Sequence, residues 1–190
     1  MKYLLSILVL ISMVACSDVS REKQPLVDGV NKKVNDIDAN HRVRIVEDDF
    51  HASDTIYKIR GYFMDNHLLK LVGVLHTPHI DRDDYFYFEK NAPIFSGHLM
   101  VEKDSKIASE YKFYYGKNGM VEEALYWEDH YKDGERFPHE HFIEFEPNRD
   151  SLREKEEDRL FFFLSKINME GFEIKHLNEN LEANTEKSGQ

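Results

Sequence analysis

The sequence predicts an α+β fold: an N-terminal helix, an antiparallel meander of about six strands made of three repeated hairpins, and an amphipathic C-terminal helix. Three observations lead there. Aromatic segments recur at near-constant spacing, each followed by an asparagine that suits a tight turn. On either side of them, apolar residues fall at helical rather than alternating intervals. The composition, 41% hydrophobic and 13% aromatic, is too rich for a disordered chain.

Val27, Val30, Val34 and Ile37 recur at helical spacing, which predicts a short amphipathic helix over 26–39. "EDDFHASD" then reads as a charged linker. Next come "GYFMDNHLL" (61–69), "FYFEKNAPI" (86–94) and "FYYGKNGMV" (113–121). Tyr62, Tyr87 and Tyr114 align, as do Phe63, Phe88 and Tyr115, and then Asn66, Asn91 and Asn118. The tyrosines are 25 and 27 residues apart, a period that signals one repeated supersecondary unit. Aromatic residues favour the incoming strand, and Asn or Asn-Gly tolerates the left-handed backbone of a hairpin turn. The predicted strands are 55–63, 67–76, 84–90, 93–102, 110–116 and 119–128. A period of two turns Tyr57, Ile59, Phe63, Phe86, Phe88, Phe113 and Tyr115 to one face, as core. Lys58, Arg60, Tyr62, Tyr85, Tyr87, Lys112 and Tyr114 fall on the other. Ser151 and Glu154 form a capping box, and Leu160, Phe163, Leu164 and Ile167 continue at helical spacing, so a second helix is expected over 152–169, with Gly171 as its stop. "REKEED" (153–158) reads as its solvated face.

The chain opens with Lys2 and an apolar run, "YLLSILVLISMV" (3–14). The run is too short for a membrane span of about 20 residues and suits the core of an export signal. Ala15 and Cys16 close it. This junction resembles the lipobox of bacterial lipoproteins. The resemblance implies that Cys16, the one cysteine in the chain, becomes the mature N-terminus and carries the lipid. Several acyl chains, at about 0.8 kcal/mol per buried CH₂, anchor stably where one would not. Ser17 at the following position implies an outer-membrane lipoprotein, with the periplasmic and cell-surface faces both open. The expected organisation is a signal peptide over 1–15, a tether over 16–25, one domain over 26–177 and a polar, frayed tail over 178–190. The helix followed by Y-[FY]-x-x-N hairpins also resembles small exported proteins of Bacteroidota. More loosely it is similar to the YYxNG-type β-repeats of MORN-like and antitoxin-type proteins.

Without residues 1–15 the chain holds 24 basic and 36 acidic side chains, a net charge of −12 with histidine neutral. That balance argues against nucleic acid and against adsorption to anionic lipid. The expected role is a non-enzymatic interaction or binding module of the cell envelope, held to the membrane through Cys16, with no cofactor. The first candidate site is the stripe of Tyr62, Tyr85, Tyr87 and Tyr114 with Lys58 and Arg60. Its flat rings and polar tips suit an envelope protein or a glycan, unless the C-terminal helix covers that face. The second is "PHEH", where His139 and His141 share a face if extended and could reach one metal ion, an arrangement that zinc completes with further ligands. The same segment also reads as a solvated loop. The third is a hydrolase using a carboxylate pair outside the known motifs. The sequence holds no G-x-S-x-G, H-E-x-x-H or phosphate loop.

Overall fold

A computed structural model describes residues 23–52, 55–65, 67–117, 119–131, 142–144 and 149–167. Cys16, His139 and His141, together with the signal peptide, most of the tether and the tail, lie outside the described residues.

Helix α1 spans Gln24–Asp38, with Pro25 in its first turn, where the missing N–H costs nothing. Seven long strands follow in an antiparallel meander: β1 (Arg44–Ala52), β2 (Thr55–Met64), β3 (His67–His76), β4 (Ile80–Glu89), β5 (Ala92–Glu102), β6 (Ile107–Tyr115) and β7 (Val121–His130). A two-residue β8 (Ile143–Glu144) pairs with β7, and helix α2 spans Arg149–Lys166. Sheet order equals chain order from β1 to β8.

Two expectations change. The segment expected as a charged linker is β1, so the long strands number seven rather than six. Its Val46, Asp48 and Phe50 alternate with Glu47 and Asp49 across the two faces, and Phe50 packs on Tyr57 with ring centroids 5.7 Å apart. Helix α2 begins at Arg149, so Ser151 lies within its first turn rather than capping it.

The hairpins share one irregularity. A register shift falls between Tyr62 and Phe63, between Tyr87 and Phe88, and between Tyr114 and Tyr115. These are the aligned aromatic pairs, and a bulge at each adds local twist. In β4–β5 the two turn residues, Lys90 and Asn91, both have positive φ, 52° and 65°, as a two-residue turn requires. In β2–β3 Asp65 takes the positive φ, at 49°.

Helices cover opposite faces of the sheet. Helix α2 lies on the phenylalanine face, where Leu160, Phe163, Leu164 and Ile167 are buried with Ile59, Phe63, Leu68, Leu71, Phe86 and Phe88. Gly73 makes this seating possible. A Cβ there would come within 2.2 Å of the Phe163 ring. Helix α1 lies on the tyrosine face, where Val27 and Val30 join Tyr87, Phe95, Tyr114 and Leu125 in a second core.

Candidate functional site

The tyrosine stripe is covered at its centre, by α1 rather than by the C-terminal helix. Tyr87 and Tyr114 are 5% and 3% exposed, so they act as core residues with polar tips. The Tyr87 hydroxyl donates to Asp38 Oδ2 at 2.8 Å, and the Tyr114 hydroxyl donates to Asn31 Oδ1 at 3.3 Å. Lys70 joins the first contact, with Nζ 2.6 Å from Asp38 Oδ1 and 4.8 Å from the Tyr87 ring centroid. Burial, then the carboxylate of Asp38, holds the Tyr87 phenol well above its usual range. Burial pushes Tyr114 up to about 12. Tyr85 is raised by burial and by Glu110, to which its hydroxyl donates at 2.6 Å. These phenols are therefore neutral donors at physiological pH. Lys58, Arg60 and Tyr62 lie beyond the helix, on the β2 part of this face. Lys58 and Arg60 are exposed, and Arg60 Nε is 2.7 Å from Glu47 Oε1. Tyr62 is half-buried, with Lys70 Nζ 5.6 Å from its ring centroid. Of the six predicted binding residues, Tyr87 and Tyr114 are thus buried under α1, Tyr85 and Tyr62 are half-buried, and Lys58 and Arg60 are exposed.

Two cavities flank the last turn of α1, and Ile37 lines both. One, of about 290 Å³, lies between α1 and the turns of β2–β3 and β4–β5. Its floor is Ile37, Met64, Leu69, Phe88 and Ile94, and its rim carries Lys33, Asp36, His67, Glu89 and Lys90. The other, of about 470 Å³, lies between α1 and the open edge of the sheet, against Val43, Ile45, Tyr62 and Lys70. An apolar floor ringed by a few polar groups is the usual form of a binding site, and these volumes fall near the lower end of ligand pockets.

The opposite face hides a polar cluster. Asp84 on β4 is 1% exposed, Ser96 on β5 0% and Glu156 on α2 2%. Arg159 reaches down from α2 to Asp84 Oδ1 at 3.0 Å and also contacts Glu156 and His98. Arg82 adds a second guanidinium contact to Asp84 at 2.7 Å. The Ser96 hydroxyl is 3.1 Å from Glu156 Oε2, to which it donates, and 3.0 Å from the Tyr115 hydroxyl. "REKEED" is therefore not solvated throughout, since Glu156 turns inward. Burial, then the positive charges of Arg159 and Arg82, depress His98 to about 2, so its imidazole is neutral. Two carboxylates and two guanidiniums compensate one another here away from water. Breaking such a cluster on one side costs far more than the whole cluster contributes.

The polar members of this cluster on the sheet were legible as anomalies. Asp84, Ser96 and His98 fall in the same alternating register as Phe86 and Phe88, where apolar residues belong. Their partners Glu156 and Arg159 come from a helix whose orientation no local pattern fixes. Asn31, Asp38 and Lys70, which hold the tyrosine tips, gave no sequence signal beyond their polarity. Among the described residues no three His, Cys, Asp or Glu side chains converge to hold a metal ion, and no helix is long and apolar enough to cross a membrane. Comparison with family models, with curated proteins and with solved structures finds no match to this chain.

Proposed function

We propose that this chain is a non-enzymatic binding module of the bacterial cell envelope, anchored through Cys16 to the outer membrane. The observation that carries the binding role is the 290 Å³ cleft beside α1, where apolar side chains are left open between charged rims. Ile37, Met64, Leu69 and Ile94 supply contact area, and Lys33, Asp36 and Lys90 supply orientation. The hydrolase alternative draws less support. The buried carboxylates Asp84 and Glu156 are sealed beneath α2 and paired with guanidiniums, whereas a general acid needs an open path to substrate. The anchor rests on the apolar run and the Ala15–Cys16 junction.

Two measurements test this reading. Cys16→Ala should move the protein from the membrane to the soluble fraction and abolish incorporation of an alkynyl fatty acid. Retention in the membrane without label would refute the anchor. A photo-crosslinking residue placed at the exposed rim position His67 should trap one envelope component in living cells. The adduct should be lost when Ile94→Asp charges the floor of the cleft. Crosslinks that persist unchanged in Ile94→Asp would show that the cleft is not the binding site.

A further inference from the structure

We infer that the outer edge of β1 accepts an extended basic polypeptide segment as an additional strand, with one apolar side chain of that segment entering the 470 Å³ cavity beside it. The inference rests on the binding-module reading and names its partner chemistry. Among the described residues β1, nine residues long, ends the sheet order. Every second residue of such a strand turns its N–H and C=O outward, and these groups are a template for one more strand. Main-chain hydrogen bonds supply affinity in that mode, and pockets for alternate side chains supply specificity.

The pocket is at hand. Ile37, Val43, Ile45 and the Tyr62 ring line it on one part, and Asp38, Asn40, His41 and Lys70 supply polar groups on the rest. Ile45 is 50% exposed, a large apolar side chain left open at the edge. On the same face of β1 come Glu47 and Asp49, both exposed. Arg60 of β2 already holds Glu47 at 2.7 Å and Lys58 stands opposite Asp49, but the Glu47 side chain stays 57% exposed and Asp49 is exposed as well, so each carboxylate can take a second cation. A strand laid against β1 therefore meets, in order, a cavity whose β1 wall is Val43 and Ile45, a carboxylate and a second carboxylate. The complementary segment is apolar at one position and basic at the next two on that face.

Charge also selects against a second copy of this chain. Any two-fold antiparallel pairing of β1 with itself centred within residues 47–49 sets acid against acid among Glu47, Asp48 and Asp49. Like charges directly opposed across strands are destabilising. In those registers the same three residues disfavour a second copy and favour a basic partner.

The test uses a labelled peptide of the length of β1 that carries leucine, lysine and lysine at three successive alternate positions, with threonine between them. Its controls are a glutamate-for-lysine version, a scrambled version of the same composition, and two versions N-methylated at alternate residues. Binding is read by fluorescence anisotropy and by amide hydrogen exchange over residues 44–52. The basic peptide should bind, protect alternate β1 amides, and lose about tenfold in affinity against the double variant Glu47→Lys, Asp49→Lys. One N-methylated version should fail while the other binds, because only one edge of the added strand faces β1. Equal binding of the scrambled or acidic peptide, or of both N-methylated versions, would overturn the proposal. So would β1 amides already protected in the free protein, which would mean that a segment of the chain itself occupies the edge. Concentration-dependent dimers in sedimentation would replace the basic strand by a second copy. Failure here, with the His67 crosslink intact and lost in Ile94→Asp, would leave the binding module standing with its site at the smaller cleft alone.

Discussion

His98 stacks on Tyr111 with ring centroids 4.6 Å apart, and its neutrality has a measurable consequence. Its folded pKa, about 2, lies below the ordinary value near 6.5. Between those values the unfolded chain binds a proton that the folded chain refuses. Stability therefore rises with pH over this window, and it is lost progressively as pH falls below about 6.5, at up to about 1.4 kcal/mol per pH unit. His98→Asn removes that titration. Urea unfolding of the two proteins at pH 7, 5 and 4 should show the stability difference between them narrowing or reversing toward acid. A constant difference would mean that His98 does not titrate with unfolding. Asp84, Ser96 and His98 are also where sequence and structure part company at this scale. Alternation places them correctly on the buried face, yet only the arrival of α2 explains how their polarity is satisfied.

Elements differ in how plainly the sequence announces them. Helix α1 and the strands β2 to β7 follow from the spacing of their apolar and aromatic residues and from the turn residues between them. β1 is hidden because both of its faces carry acids: Glu47 and Asp49 on one, Asp48 on the other. β4 begins at Ile80 rather than near residue 84 for the same reason, since Asp81, Arg82 and Asp83 mask its start. The pairing of helices with faces was not legible at all. Both helices carry a suitable apolar stripe, and the choice is made by fit: Gly73 leaves room for Phe163, whereas the tyrosine tips meet Asn31 and Asp38 of α1. Gly73→Val should therefore unseat α2 from the sheet. Overpacking of this kind costs about 1–3 kcal/mol, visible as a lower urea midpoint. Its tyrosine-face counterpart Gly97 is close to Tyr85 and a backbone carbonyl and lies away from α2. Loss of the Phe163 contact in Gly73→Val should appear as aromatic proton shifts on Phe86, whose ring centroid is 6.1 Å from that of Phe163. Unchanged Phe86 resonances with a lowered midpoint would place the strain elsewhere.

At the scale of the whole molecule, the meander binds each strand only to its neighbours in the chain. The two cores under α1 and α2 lie over its middle strands, so protection should be graded across the sheet. Native-state hydrogen exchange should find amides of β3–β5 opening only with global unfolding, and those of β1 opening locally at much lower free energy. Equal protection of β1 and β4 would contradict this gradient. The strict order of strands also has a mechanical meaning. Because β1 and β8 lie at opposite edges, tension between the two ends of the chain acts across the strands and loads the hydrogen bonds of one ladder at a time. Such a sheet unzips from its border at low force and does not shear as a unit. A load applied at the N-terminal end of α1 would lift α1 first, baring the tyrosine face, and β1 next, where Val46 borders the phenylalanine core. Such a pull would thus turn the buried rings of Tyr87, Phe95 and Tyr114, with the polar tips that Asp38 and Asn31 now hold, toward the solvent.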